Sequence, residues 1–380
     1  MLIYGANGYT GRLIAEEAAR RGLRPTLAGR NRQAIESLAE DLGCPAAVFP
    51  LDDAKEVARQ LRAWRESAAV VSSPGNGSAE RPVVLNCAGP FEKTAPIFMP
   101  ACVEAGASYL DITGEITVIE QAAAMDAAAR DAGVLLMPAV GFDVVPSDCF
   151  AAALARRCPG ATHLQLAFAP GGELGGGISR GTARTAWENA SRGGMVREGG
   201  QLKSVPPAWK VERIAYPRGT RHAMTIPWGD VASAYYSTGI PNIEVFLAMP
   251  RRTIHRLRRW RGLSKLAGVW PISAIGRWYI DRTFKGPTAE QRASGYAEFW
   301  GRAWKDEAQT EEGQLMGCGS VEGTMITPEP YALTVQTALD AAQHVAGGSG
   351  QPGFRTPSQV LDEDYLRSLV GEGNLKFTEG

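Results

Sequence analysis

The stretch Gly5-Ala6-Asn7-Gly8-Tyr9-Thr10-Gly11 follows directly on the apolar run Leu2-Ile3-Tyr4 and precedes a helical pattern that extends to about Arg21. Glycine at these positions allows a tight turn, a close approach of backbone N–H groups to a diphosphate, and close packing of helix on strand. The N-terminus of the following helix adds partial positive charge. The stretch therefore predicts a phosphate-binding loop, with an ordinary glycine turn as the alternative.

Short apolar runs alternate with longer helical patterns up to residue 148, as βαβ units do. Strands are predicted at residues 2–4, 25–28, 46–49, 83–87, 108–110 and 134–137. Six such strands are typical of a Rossmann-type, doubly wound parallel sheet of the α/β class, which binds dinucleotides at the first turn. This context favours the phosphate-binding interpretation of the glycine stretch.

The pattern changes after Pro146, where alternating polar and apolar residues predict a second domain of the α+β class. Its strands are predicted at residues 162–169, 212–216, 223–226 and 243–249, in an open, mostly antiparallel sheet. The predicted organisation is a dinucleotide-binding domain at 1–148, a substrate or dimerisation domain at 149–328, and a C-terminal helix and tail at 329–380. The last segment is expected to pack back on the first domain.

Composition limits the function classes. The chain has 380 residues, which suits two domains, and a formal net charge of zero, which argues against a nucleic-acid partner. The six cysteines are scattered and the four histidines form no metal-ligand pattern, so no metal site is predicted. Reduced thiols and a first strand directly after Met1, with no room for a signal peptide, predict a cytoplasmic protein.

The end of the second predicted strand, Ala28-Gly29-Arg30-Asn31, indicates which dinucleotide is bound. NAD-binding folds usually place Asp or Glu here to bind the ribose 2′-hydroxyl. Arg30 instead suits a 2′-phosphate, which it can bind through charge-assisted hydrogen bonds. NADP(H) is therefore the predicted cofactor and NAD(H) is less favoured, unless Arg30 is an ordinary solvated arginine.

Two further loops follow the fourth and fifth strands at the carboxyl edge of the sheet, where ligands of such folds lie. Asn86-Cys87-Ala88-Gly89-Pro90-Phe91 is expected to border the nicotinamide, and Asp111-Ile112-Thr113-Gly114-Glu115 lies beside it. A third loop, Gly141-Phe142-Asp143-Val144-Val145-Pro146-Ser147-Asp148, follows the sixth strand.

Carboxylates in these loops are the candidates for orienting a substrate or relaying a proton. The predicted catalytic residues are Asp111, Glu115 and Asp143, and Asp148 is a fourth carboxylate in the same loops. The alternative for Glu115 and Asp148 is a structural role at a helix N-terminus. No tyrosine is followed four residues later by lysine, so the proton-donor pair of short-chain dehydrogenases is missing.

A basic segment occupies residues 245–285. No carboxylate occurs from Val245 to Ile280, whereas arginines and tryptophans are frequent and apolar residues recur at roughly helical spacing. A basic amphipathic helix with tryptophan can lie in a membrane interface. Peripheral membrane contact through residues 251–278 is one interpretation; a solvated lid helix over the active site or a homodimer contact is the other.

As a set, the motifs GANGYTG, AGRN, VVLNCAGPF, ASYLDITGE and VGFDVVPSD make the sequence resemble the saccharopine dehydrogenase-like oxidoreductases, including their bacterial branch of trans-acting enoyl reductases. The resemblance implies a Rossmann domain, a mixed second domain and NAD(P) dependence. The resemblance also implies a set of cofactor contacts in this chain, to which we add Asn31 because it follows Arg30 at the end of the second strand. The predicted contacts are Gly5, Asn7, Gly8, Tyr9, Thr10, Gly11, Arg30, Asn31, Cys87, Ala88, Gly89, Pro90 and Phe91.

Three functions are consistent with these observations. The first is NADPH-dependent reduction of an activated C=C (enoyl) bond in a lipid-like substrate. The second is a C=N reductase or amino-acid dehydrogenase of the saccharopine type, for which Arg180, Arg184, Arg192 and Arg197 are candidate clamps for substrate carboxylates. The third is a non-catalytic protein that binds NADP(H) or lipid.

Overall fold

The computed structural model describes residues 1–71, 81–171, 193–259, 278–280, 282–283, 288, 290, 294–305 and 319–379. Residues 260–277 of the basic segment, and the predicted clamps Arg180, Arg184 and Arg192, lie outside this set. The chain divides into two compact units: Met1–Val145 with Leu333–Val360, and Pro146–Ala332 with Leu361–Gly380.

The described residues form sixteen strands: β1 (Leu2–Tyr4), β2 (Thr26–Gly29), β3 (Ala46–Val48), β4 (Val83–Asn86), β5 (Ser108–Asp111), β6 (Leu135–Met137), β7 (His163–Gly171), β8 (Gly194–Glu198), β9 (Gln201–Val205), β10 (Val211–Tyr216), β11 (Gly219–Thr225), β12 (Asn242–Ala248), β13 (Tyr296–Trp304), β14 (Ser320–Pro328), β15 (Gly353–Phe354) and β16 (Leu375–Glu379). The helices among the same residues are α1 (Tyr9–Arg20), α2 (Arg32–Leu42), α3 (Ala54–Val71), α4 (Phe91–Ala105), α5 (Ile116–Ala124), α6 (Asp126–Asp131), α7 (Val145–Arg157), α8 (Asp230–Thr238), α9 (Arg251–Arg259), α10 (Pro330–Ala346) and α11 (Glu363–Val370).

The first unit contains a seven-stranded sheet in the order β3-β2-β1-β4-β5-β6-β15. All its described strand pairs are parallel. This is the doubly wound order, and the predicted α/β fold class is confirmed. Strands β1, β4, β5 and β6 are buried along their whole length, which explains the uninterrupted apolar sequences of β1 and β6 and the nearly apolar sequence of β4. The prediction of six strands was short by one, because β15 adds a two-residue edge strand.

The second unit contains a mixed sheet in the order β10-β11-β12-β7-β13-β14-β16, and the β8–β9 hairpin is attached to β12. Of its described pairs only β12–β7 is parallel, so the predicted mostly antiparallel sheet is also confirmed. Because β16 pairs with β14, residues Leu361–Gly380 group with the second unit while Leu333–Val360 group with the first. The single C-terminal segment at 329–380 in the sequence-based division is thus divided between the two units.

Helix α7 packs closely against one face of the second sheet because two strand positions there are glycine. A Cβ atom on Gly301 of β13 would lie 2.8 Å from the ring of Phe150, and one on Gly323 of β14 would lie 2.9 Å from it. The opposite face carries a buried cluster that includes Tyr216, Phe246 and Trp300. Among the described residues no helix combines the length and the apolar composition needed to cross a bilayer.

Candidate cofactor and active site

The glycine loop between β1 and α1 is held in one tight conformation. Gly5 has a φ of +78°, a backbone region that side chains disfavour, and its N–H donates to the carbonyl oxygen of Ala28 on β2 at 2.8 Å. A Cβ atom on Gly11 would collide with the carbonyl oxygen of Gly5. The first turn of α1 therefore packs directly on the end of β1, as a loop that approaches a diphosphate requires.

The N-terminus of α1 is suited to an anion. Gly8 is the N-cap residue and provides no side-chain hydrogen bond to the first turn, and that turn contains no acidic residue. The amide hydrogens of a helix's first turn and the helix dipole together favour negative charge at this point. The predicted contacts Tyr9, Thr10 and Gly11 form this turn.

The end of β2 lies beside the glycine loop. A Cβ atom on Gly29 would lie 3.3 Å from the side-chain oxygen of Asn7, so the two segments are in close contact. Arg30 is exposed, and within the described residues no hydrogen bond or ion pair engages its guanidinium group. Asn31 has a structural task, because its side chain accepts a hydrogen bond from the N–H of Ala34 at 3.1 Å and so caps α2.

The turn after β4 packs on the same glycine loop. A Cβ atom on Gly5 would lie 2.9 Å from the backbone nitrogen of Ala88, and the N–H of Cys87 donates to the carbonyl oxygen of Tyr4 at 2.8 Å. The hydroxyl of Thr94 donates to the carbonyl oxygen of Ala88 at 2.8 Å. Burial raises the pKa of the Cys87 thiol well above its usual range, which favours the neutral thiol over the reactive thiolate.

Pro90 is the N-cap residue of α4 and has no capping side chain, so another residue takes its place. The carboxylate of Glu115 accepts hydrogen bonds from the N–H groups of Phe91 at 3.3 Å and Glu92 at 2.7 Å. Burial raises the pKa of Glu115 to about 7, although these two hydrogen bonds oppose the shift. Glu115 thus caps α4 from the loop after β5, which joins two of the predicted site loops.

Asp111 lies at the centre of a fully buried hydrogen-bond network. Its Oδ1 accepts from the N–H groups of Thr113 at 3.0 Å and Ala139 at 2.8 Å, and its Oδ2 accepts from the hydroxyl of Tyr109 at 2.8 Å. The side-chain amide of Asn86 donates to the same hydroxyl at 3.1 Å. Burial raises the pKa of Asp111 to about 6, against the effect of these hydrogen bonds. The network connects the carboxyl ends of β4, β5 and β6.

The loop after β6 contains a strained residue beside the third predicted carboxylate. Ala139 has a φ of +65°, and its N–H is the one bonded to Asp111. Further along the loop, Asp143 is partly buried, and its Oδ2 would lie 2.8 Å from a Cβ atom on Gly114. Burial raises the pKa of Asp143 to about 6. The structure therefore brings the loops of Asp111, Glu115 and Asp143 together at one sheet edge.

Asp148 does not belong to this group. It lies on α7 in the second unit, where it accepts a hydrogen bond from the hydroxyl of Ser237 at 2.8 Å. The neighbouring Ser147 donates to Asp230 at 2.9 Å. Both side chains thus take part in contacts between α7 and α8.

Two residues of the first unit's network, Asn86 and Tyr109, were missed in the sequence. Each is a polar or hydroxyl-bearing side chain inside a fully buried strand. Such a group needs a partner, and Asp111 stands two residues after Tyr109, on the same side of β5. A polar residue in a buried strand with a carboxylate on the same face was therefore the sequence signal that could have indicated this hydrogen-bond network.

The second unit contains a cavity of about 250 Å³, lined by residues of β7, β8, β9, β12 and β13 and by the segment between β9 and β10. Its lining mixes apolar and charged side chains and includes an ion pair between Lys210 and Glu244 at 2.6 Å. Arg197, a predicted clamp for a substrate carboxylate, also lines it. Its guanidinium donates to the carbonyl oxygens of Val231 at 2.9 Å and Gly200 at 2.8 Å, so the fold already uses this charge.

Comparison with known families confirms the predicted resemblance. Residues 1–137 match the family described as the saccharopine dehydrogenase NADP binding domain. A Mycobacterium tuberculosis protein that is provisionally named a trans-acting enoyl reductase is 31% identical over 222 residues, which are 57% of this chain and 50% of that protein. A trans-acting enoyl reductase of Mycobacterium bovis is 31% identical over 163 residues, which are 41% of this chain and 35% of that protein. The chain therefore spans half or less of the length of these relatives.

Among solved structures, the apo saccharopine dehydrogenase (L-Glu forming) of Saccharomyces cerevisiae is similar over 100% of this chain and 99% of that chain. The TM-score is 0.59 and the sequence identity is 10%. At this identity the similarity shows a shared fold and nothing about the reaction.

Proposed function

We propose that this chain is an NADP(H)-dependent oxidoreductase that reduces an activated C=C bond of a lipid-like substrate. The proposal starts from the match of residues 1–137 to the family described as the saccharopine dehydrogenase NADP binding domain. The observation that carries the proposal is the glycine loop, which lies against the turn after β4 at the sheet edge where the three carboxylate loops meet. The choice of C=C over C=N chemistry is supported by the names of the mycobacterial relatives.

The residues present fit the cofactor. The absence of a side chain at Gly5 and Gly11 lets the glycine loop pack closely on the turn after β4 and on the first turn of α1. That first turn presents its amide hydrogens to a diphosphate. The guanidinium of Arg30, which no described residue engages, suits the 2′-phosphate that distinguishes NADP from NAD. Bound NADPH would supply a hydride to the substrate; the remaining tasks belong to the protein.

Asp143 is the carboxylate that we assign to proton transfer. It is less buried than Asp111 and Glu115, so a substrate or a water molecule can reach it more easily. Its raised pKa, about 6, lets it retain a proton up to mildly acidic pH and deliver that proton as charge develops on the substrate. The missing side chain at Gly114 leaves the space that the Asp143 carboxylate occupies.

Asp111 and Glu115 are assigned positioning tasks. Their oxygens accept backbone N–H hydrogen bonds, and through them they fix the start of α4 and the loop after β6. They hold the turn next to the cofactor loop and the segment that carries Asp143. Neither is assigned direct contact with the substrate.

Loss of NADPH absorbance with an enoyl thioester substrate tests the proposal. We expect turnover in the wild type and none in Gly8→Asp, because the new carboxylate would repel the diphosphate and its Cβ atom would lie 3.2 Å from the carbonyl oxygen of Gly5. Gly22→Asn is the matched control, since Gly22 has open space around it and a φ of +79° that asparagine tolerates. NADPH binding without turnover on any enoyl substrate would contradict the assigned reaction.

A C=N reductase or amino-acid dehydrogenase is the second candidate. It is favoured by the basic side chains in the lining of the second-unit cavity, which are Lys203, Lys210 and Arg197. It is the weaker candidate because Lys210 is paired with Glu244, Lys203 is paired with Glu198, and Arg197 is bonded to backbone carbonyls. NADPH oxidation with an imine, or NADP reduction with an amino acid, would favour it over the enoyl reaction.

A further inference from the structure

Helix α9 presents a face made of arginine. Arg252, Arg256 and Arg259 are spaced by four and three residues, lie on one side of the helix, and are all exposed. Ile254 is on the opposite side and is only 3% exposed, so it anchors the helix to the protein. Ile254, the most buried apolar side chain of α9, therefore faces the protein, and the arginines occupy the face that meets solvent.

Among the described residues, the exposed arginines Arg252, Arg256 and Arg259 of α9 have no acidic partner, whereas exposed arginines on several other helices do. Arg32 pairs with Glu36 and Arg59 with Glu56, each about one helical turn away. Within the described residues no carboxylate pairs with Arg252, Arg256 or Arg259. Because the net charge of the chain is zero, this concentration of positive charge is a local feature of α9 and does not follow from the overall composition.

A pair of aromatic residues in the same unit is unusually exposed. Trp278 is 56% exposed and Tyr279 is 57% exposed, whereas the next residue, Ile280, is buried. The guanidinium of Arg282 lies 4.5 Å from the centre of the Trp278 ring. Solvent exposure of two large adjacent aromatic side chains is unfavourable in water and is typical of a surface that has a partner.

We propose that α9 and the residues Trp278, Tyr279 and Arg282 both dock on an anionic lipid bilayer, and we call these two elements together the basic–aromatic surface. Arginine binds lipid phosphates in a bidentate manner, and each basic side chain near an anionic membrane strengthens binding. Tryptophan and tyrosine prefer the headgroup level, where the ring is in an apolar environment and the polar edge meets water. Both requirements of peripheral membrane binding, positive charge and interfacial aromatic residues, are thus present. A nucleic acid would also require positive charge, but its second requirement would be a geometry that allows stacking on the bases.

Docking is independent of the reaction assigned above, because it requires neither cofactor nor turnover. If the substrate is lipid-like, the surface would also keep the protein where that substrate is found. Failure of vesicle binding would therefore leave the proposed oxidoreductase activity untouched, and the absence of turnover would leave the docking proposal untouched.

Co-sedimentation of the full chain with lipid vesicles tests the proposal. We expect at least about tenfold stronger partitioning onto vesicles that contain about one third phosphatidylglycerol than onto pure phosphatidylcholine, and loss of this preference when salt is raised from about 0.05 M to about 0.5 M. Equal binding to both vesicle types, or no dependence on salt, would overturn it. These wild-type measurements do not rely on any variant being folded.

The variant Arg252→Gln/Arg256→Gln/Arg259→Gln should lose at least about tenfold in partitioning onto the anionic vesicles. The control changes net charge equally at exposed arginines of the first unit, in Arg20→Gln/Arg59→Gln/Arg62→Gln, and should bind as the wild type does. Trp278→Ser/Tyr279→Ser should weaken the binding that remains at high salt. Equal loss in the basic-surface variant and its control, or oligonucleotide binding with no vesicle binding, would refute membrane docking.

Discussion

Replacing Arg30 by alanine should separate the two nicotinamide nucleotides. Arg30 is exposed and engaged by no described residue, so its removal leaves no buried partner unsatisfied and the fold unchanged. A charge-assisted hydrogen bond contributes about 1.5–3 kcal/mol, and solvent screening at an exposed site favours the lower end. We therefore expect Arg30→Ala to weaken NADPH binding about tenfold, since about 1.4 kcal/mol corresponds to a factor of ten.

NADH lacks the 2′-phosphate, so its affinity for Arg30→Ala should stay within about twofold of the wild-type value. Isothermal titration calorimetry with both nucleotides measures the two changes in one buffer. Arg32→Ala is the matched control, because Arg32 is an equally exposed arginine two residues away that already pairs with Glu36 at 2.8 Å. Equal wild-type affinity for NADPH and NADH, or equal losses of NADPH affinity in Arg30→Ala and Arg32→Ala, would refute the assignment.

The two other predictions concern the carboxylates at the sheet edge. Asp143→Asn should lower kcat by about a hundredfold or more while NADPH affinity is retained. A proton donor with a pKa of about 6 makes wild-type activity fall as pH rises above about 6, and this fall should disappear in the variant. An unchanged pH–rate profile would argue against proton transfer by Asp143. Because the pKa of Glu115 is raised from 4.5 to about 7, the native state holds this proton more tightly, so stability is lost as pH rises from about 4.5 to about 7. Denaturant unfolding of wild type and Glu115→Gln at both ends of that range measures this loss. As pH rises from about 4.5 to about 7, the free energy of unfolding of Glu115→Gln should increase relative to that of wild type by up to about 3 kcal/mol. A difference between the two proteins that does not depend on pH would contradict the raised pKa.

The first sheet could be predicted almost completely because most of its strands are buried on both faces, the edge strand β3 being the exception. Such strands are continuous apolar runs, and the intervening helices have their own periodicity and caps, such as Asn31 and Gly43 at the ends of α2. Strand β15 could not be predicted, since Gly353 and Phe354 form a pattern too short to recognise. Its pairing with β6 depends on a chain segment far away in the sequence.

The second sheet was predicted less well, and its glycines give the physical reason. In β14, buried and more exposed positions alternate, but the buried position 323 is glycine because the ring of Phe150 fills the space that a side chain would take. Gly301 plays the same part in β13. Where the inward residue is glycine, the apolar side chain comes from a helix, and the strand's own sequence loses the periodicity that would reveal it.

At the site, too, features that depend on the local sequence could be predicted, whereas contacts between distant parts of the chain could not. The loops that carry Asp111, Glu115 and Asp143 could be placed at the sheet edge, because parallel strands end there together. The partners of these carboxylates could not be predicted, since Glu115 caps α4 and not the helix that follows it, and Asp111 bonds to Ala139 beyond the next strand. A helix cap from a distant loop has no spacing signature in the sequence.

The hydrogen bond between Asp111 and Ala139 explains how a strained loop can be stable. A non-glycine residue with a φ of +65° costs about 1–2 kcal/mol, and a hydrogen bond from its N–H to a buried carboxylate contributes about 1.5–3 kcal/mol, so the bond offsets the strain. The carboxylate is in turn held by Tyr109, and Tyr109 by Asn86, whose side-chain oxygen also accepts the N–H of Ala88 in the turn beside the glycine loop. The geometry of the Asp143 loop and that of the cofactor turn are therefore set by one buried network, and a change at Asp111 should disturb both, which a change at a merely catalytic carboxylate would not do.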